Sequence, residues 1–262
     1  MHPGRLFGKL VFIVFLVLPA AVWAALPLVT DDTGTQGKGK FQVEASGTWS
    51  TDENNENGEG GREIDNLADV TLTAGIFETV DLSLDVPYLW TKVNEGGQTT
   101  NDNGYSDMVL AAKWRFLEFE KQKLSMAIKP GLLLPTGNED KGLGTGKVGY
   151  LFTFITTFEL LEPWAFDLNL AYYDLENKEN QRNNLWSGSL AARFKASEAW
   201  TLVGEVGSRR NADKFDSSHP AFAQVGVIYS LKEYLDLSAG FIWGLTDTEM
   251  DEAIKLGMTV RF

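Results

Sequence analysis

From Phe41 to Phe262, apolar and polar residues alternate with a period of two, and this rhythm narrows the folds open to the chain more than any other feature. A period of two sends successive side chains to opposite faces of a strand, whereas an amphipathic helix repeats every ~3.6 residues. The last segment is the cleanest. Ile254, Leu256, Met258, Val260 and Phe262 share one face, and Lys255, Gly257, Thr259 and Arg261 share the other. The same parity holds over 41–49, 70–76, 80–90, 108–116, 124–134, 148–158, 164–172, 186–194, 200–206, 223–229 and 235–243. Twelve strands are therefore expected, each near the ~9–11 residues that cross a bilayer at a tilt.

The connections alternate as well. Short links fall at 77–79, 117–123, 160–163, 195–198 and 231–234, and long polar ones at 51–63, 92–104, 137–146, 175–183, 209–219 and 246–251. Short turns on one side and long loops on the other are the layout of an outer-membrane barrel. An even strand count puts both termini on the short-turn, periplasmic side. Pro87 and Pro130 fall inside strands, where each lacks a ladder donor, so a bulge or an early strand end is expected at both.

Alternation also occurs in a soluble β-sandwich, and the aromatic positions separate the two. Trp49, Trp90, Trp186 and Trp243 lie on the apolar parity toward the long-loop ends. Trp114, Trp164 and Trp200 lie on it toward the short-turn ends, joined there by Phe262. Amphipathic rings are most comfortable where hydrocarbon meets head groups, so two girdles with aliphatic residues between them describe a lipid-facing wall. The fold expected is all-β: a transmembrane antiparallel up-and-down β-barrel of about twelve strands, with outer-membrane lipids and lipopolysaccharide as its surroundings.

The opposite parity is polar and should line the lumen. Asp69, Asp85, Asp107, Lys113 and Lys129 are the lining residues expected on the first half, and Asp167, Arg193, Glu205 and Lys255 on the second. Facing lipid near the midplane, each charge would cost ~2–4 kcal/mol; facing water, little. A narrow path for a small-molecule solute and a barrel closed by its own salt bridges both fit, since twelve strands fall between a filled eight-strand barrel and a wide sixteen-strand one.

The amino terminus is an address. Arg5 and Lys9 precede the apolar run 10–18, and small residues end at Ala24. This is the three-part pattern of a secretory signal over 1–24, leaving 25–262 as a single barrel domain. The run is short for an anchor of ~20 residues. Removing it takes the formal charge from −13 to −15, with 36 acidic residues against 21 basic ones. No nucleic-acid partner fits that balance.

Chemistry is hard to place on this chain. It has no cysteine and two histidines, His2 and His219, so thiolate sites and most histidine-based acid–base sites are excluded. Gly144, Gly146 and Gly149 fit a G-x-G-x-x-G spacing, but they feed a strand and not the helix a dinucleotide needs. The acidic stretch 51–62 matches no EF-hand spacing and is expected to be a solvated loop. No catalytic residue, metal or cofactor is expected. A carboxylate-based lipid-modifying barrel enzyme and a structural or adhesive surface barrel are the alternatives to a channel.

The stretch from Leu26 to Glu44, LPLVTDDTGTQGKGKFQVE, resembles the bacterial outer-membrane transporter family named after the MetA pathway of phenol degradation. So do Asp85-Val-Pro-Tyr88, the run 104–116 and Lys129-Pro-Gly-Leu-Leu-Leu-Pro-Thr-Gly137. The resemblance implies a Gram-negative outer-membrane location and transport of small solutes, aromatic compounds by family name only. The terminal Phe262 is similar to the aromatic ending that barrel-assembly machinery reads.

Overall fold

A computed structural model describes residues 26–54, 61–95, 98–176 and 181–262. The expected signal sequence lies outside the described residues. The strands are β1 (Phe41–Asn54), β2 (Gly61–Phe77), β3 (Val80–Glu95), β4 (Gln98–Tyr105), β5 (Met108–Phe119), β6 (Leu124–Leu134), β7 (Gly149–Leu161), β8 (Trp164–Asp174), β9 (Asn184–Lys195), β10 (Trp200–Arg209), β11 (Ala221–Lys232), β12 (Leu235–Gly244) and β13 (Glu252–Arg261). Pairing is antiparallel throughout. The sheet closes because β1 pairs with β13 as well as with β2.

Thirteen strands make twelve staves. β4 and β5 descend as one stave broken at Ser106 and Asp107, with β3 pairing to β4 above the break and to β5 below it. The break sits opposite Pro87. Asp85 pairs with Val109 and Tyr88 with Tyr105, so β3 has two residues where its partner has three, which is a bulge. Pro130 behaves differently. It stays in the middle of β6 opposite Phe152, and on its other side the ladder passes from Ala111–Gly131 to Trp114–Ile128 without intervening rungs. A missing N–H there interrupts pairing but does not end the strand.

Two expected loops are partly strand. Residues 51–54 and 61–63 extend β1 and β2, and 92–104 is largely the β3–β4 hairpin. β1, β2 and β3 run 14, 17 and 16 residues, beyond the ~9–11 that hydrocarbon requires, so their long-loop ends stand clear of it.

The polarity of the wall is inverted relative to a soluble protein. Leu72, Leu82, Leu110, Leu170, Leu190, Val225 and Leu256 are exposed on the outside, while Asp81, Asp85, Lys129, Asp167 and Glu205 are buried inside. Water would penalise that arrangement and hydrocarbon favours it.

Candidate functional site: a lumen crossed by the amino-terminal segment

The interior is occupied by the chain itself. Residues 26–40 turn inward before β1, and the turn is built from glycine. Gly37 and Gly39 have φ of 84° and 79°, a left-handed geometry that costs other residues energy. The segment is clipped to β2 where Gly39 N–H donates to the Gly75 carbonyl at 2.8 Å and Gly75 N–H to that of Lys40 at 2.9 Å.

Within the lumen, wall side chains hold the segment's backbone. Glu205 accepts from Val29 N–H at 2.8 Å, from Thr30 N–H at 2.7 Å and from the Thr30 hydroxyl at 2.6 Å. Asn169 accepts from Asp31 N–H at 2.6 Å and donates to the Asp31 carbonyl at 2.9 Å, its carboxamide turned so that oxygen meets the N–H. Gln224 donates to the Pro27 carbonyl at 2.8 Å, Thr157 accepts from Thr33 N–H at 3.0 Å, and Asp81 accepts from Gln36 N–H. An extended backbone cannot remain bare in a closed space, and these side chains satisfy it.

Charge pairs add to this. Lys113 and Lys129 each reach one carboxylate oxygen of Asp31, at 3.2 and 2.7 Å. Arg193 lies 3.5 Å from Asp32 and forms a fork on Asp167 at 2.7 and 3.1 Å. Burial alone would raise the Asp32 carboxyl, but Arg193 and Lys113 beside it hold it below its ordinary value.

At the far end Leu26 and Pro27 lie against glycine. A Cβ at Gly226 or Gly240 would come within 2.7 or 3.0 Å of Pro27, and one at Gly257 within 2.7 Å of Leu26. Three adjacent strands thus leave a seat that any larger residue would fill. Leu28 is fully buried against Ala191 and Val203.

The sequence-derived lining residues therefore fall into three settings. Lys113, Lys129, Asp167, Arg193 and Glu205 bind the segment or each other. Asp69, Asp85 and Lys255 stand on the inward parity of β2, β3 and β13, with Asp85 accepting from the Thr71 hydroxyl at 2.9 Å. Asp107 lies in the β4–β5 break and clamps the 135–148 loop, accepting from Gly137 N–H at 2.9 Å, Thr145 N–H at 2.7 Å and the Thr145 hydroxyl at 2.8 Å. That loop carries a single 3-10 turn, Glu139–Lys141, and buries Leu143.

An apolar inner wall was not anticipated. Val109, Ala111, Leu133, Leu151, Tyr173 and Leu185 are buried and mutually packed on β5–β9, on the long-loop side of Lys113 and Lys129. The sequence carries a trace of it: the unbroken runs 109–112 and 132–134 lose alternation, as strands covered on both faces do. Above the segment the inner wall is apolar on β5–β9 and acidic on β2 and β3, where Asp85 stands beside Val109.

The girdle aromatics stand on the outward parity. Trp49, Trp90, Trp114, Trp164, Trp186 and Trp200 are each about half exposed, Phe262 more so, and Trp243 stacks at 6.0 Å on Phe241. His219 packs its ring 5.3 Å from Trp186.

The family model described as "Putative MetA-pathway of phenol degradation" matches residues 27–262, which takes in both the lumenal segment and every strand. The chain belongs to this family. A search among curated proteins returns no match. Among solved structures, an outer membrane channel from Pseudomonas putida F1 is similar over 88% of this chain and 98% of its own, with TM-score 0.71 and 16% identity. The β domain of the Bordetella autotransporter BrkA is similar at TM-score 0.58 and 10% identity, over 86% of this chain and 100% of that one. The NanC porin follows at 0.57 and 6%, over 83% and 98%. At these identities the likeness shows the family member's barrel fold.

Proposed function

We propose that the chain is a passive channel of the bacterial outer membrane for small solutes, held closed by residues 26–40. One observation carries this reading: the block across the lumen is not part of the wall. It is a segment on a glycine hinge, held by side chains whose charges a closed structural barrel would have no need to keep. A barrel filled for good could use apolar residues there at no cost in stability, since buried ion pairs are often no better than their apolar replacements. In this reading the long loops face outward, both strand termini are periplasmic, and lipid and lipopolysaccharide surround the outward face. Barrel-assembly machinery inserts the chain by way of its terminal Phe262. The family description and the outer membrane channel among its structural neighbours support the reading, and no chemistry is assigned to the site.

Swelling of proteoliposomes in a small sugar tests it. The full mature chain should swell them slowly, and a chain lacking residues 26–36 should do so severalfold faster. Rates equal to those of empty vesicles for both chains would contradict a channel.

A further inference from the structure

Water reaches the lumen unevenly. On the long-loop side of the segment the inward residues of β5–β9 are packed shut, with Leu133 and Leu185 at most 1% exposed. On β13, β1 and β2 the inward residues Ser46, Thr48, Asp65, Asp69 and Lys255 are only half-buried. The register makes them neighbours: Ser46 pairs with Asp69, Ser50 with Asp65 and Thr48 with Lys255. This crevice ends at the glycine seat. Gly257 is cross-strand from Ser46 and carries Leu26, so the tip of the amino-terminal segment stands at the crevice floor. When the tip leaves, the crevice continues along Glu44 and Gln42, the next inward residues of β1.

Its charge is one-sided. Glu63, Asp65 and Asp69 share the inward face of β2, where residues two apart lie about 7 Å from one another, and Asp52 is cross-strand from Glu63. Among the described residues, Lys255 is the one basic residue on the inward faces of β13, β1 and β2 between the seat and the long loops. Asp65 and Asp69 each keep an oxygen that accepts no hydrogen bond from a described residue.

We infer that the path freed by the segment runs along β13, β1 and β2, and that Asp65 and Asp69 make it take small cations ahead of anions. Carboxylates facing a packed, low-dielectric wall focus their field into the crevice, which concentrates cations there and repels anions. The basic residues off this track carry wall counter-charges of their own: Lys113 is cross-strand from Asp81, and Arg193 holds Asp167 at 2.7 Å. They do not reverse the sign when Asp31 and Asp32 depart. The inference rests on the channel reading and names the track and the solute class of that channel.

The chain has no cysteine, so Ser46→Cys supplies a single thiol opposite Asp69, and Ala111→Cys one on the packed wall. Residues 25–262 carrying either change are folded in detergent and treated with two methanethiosulfonates, one ending in trimethylammonium and one in sulfonate. Each rate is divided by that reagent's rate with a free thiol in solution. At Ser46→Cys the ammonium reagent should lead by at least about fivefold, and Asp69→Asn or Asp65→Asn should lower that ratio at least about twofold. Ala111→Cys should stay unlabelled. A ratio at or below one, a silent Ser46→Cys, an unchanged ratio in both aspartate variants, or equal labelling at the two positions would overturn the inference. In a salt gradient the chain lacking residues 26–36 should pass potassium ahead of chloride, and the reverse order would overturn it as well. The thiol reports without conductance, so swelling by the shortened chain with a sulfonate-preferring thiol removes this inference alone. An ammonium-preferring thiol with no swelling keeps the acidic crevice and removes the channel.

Discussion

Asp107 makes three bonds to one loop, and removing it leaves two backbone donors and a hydroxyl without their partner. Asp107→Ala should cost the loop about 1.5–3 kcal/mol. The check is trypsin cleavage at Lys141 in folded protein, which should become much faster in the variant; an unchanged rate would show that the loop is held by something else. Asp32 gives a pH prediction with a definite sign. Its carboxyl is depressed when docked, so its share of docking is complete above the ordinary value of 3.8 and is lost as pH falls through the lower docked value. A nitroxide at position 29 should be unaffected by this group near neutrality and loosen below pH 3.8, and Asp32→Asn should remove that acid component. Individual charges could be assigned to the inward face from parity alone. Their partners could not, because Asp31 and Asp32 precede the first strand and nothing in a period of two says that they return to the lumen.

The strands were largely legible. Alternation located every stave, and Pro87 marked the bulge that breaks one of them. Strand ends were less so, because residues such as Asp52, Glu63 and Thr99 look like loop yet extend ladders above the membrane. The lumenal segment was missed for a physical reason: its backbone bonds to side chains, not to a ladder, so no hydrophobic period announces it. The available signal was three inward-parity glycines, Gly226, Gly240 and Gly257, in strands that otherwise carry side chains there. Filling that seat tests the element. Gly240→Val with Gly257→Val should expel Leu26 and Pro27 and mobilise a label at position 29, while the folded barrel keeps its shifted migration in unheated gels. A label that stays immobile would mean the seat does not hold the segment.

At the scale of the whole molecule, charge lies inside and apolar surface outside, and that inversion fixes the surroundings as hydrocarbon. Tryptophan emission should be quenched strongly when the chain is refolded into vesicles of brominated lipid, since six of the seven described tryptophans stand about half exposed on the outer face. Weak quenching would place those rings against protein. The sequence also yields the polar half of the lumen but hides the apolar half, because Val109, Leu133 and Leu151 continue runs that read equally well as outward surface. The central claim is that ion pairs between residues 31–32 and the wall close the path. Single-channel recording in planar bilayers tests it most directly, comparing residues 25–262 of the parent sequence with the same residues carrying Asp31→Asn, Asp32→Asn. Long closed intervals in the parent chain and an open fraction at least about tenfold higher in the double variant are the expected result, equivalent to ~1.4 kcal/mol of lost docking. An identical open fraction in the two would contradict it.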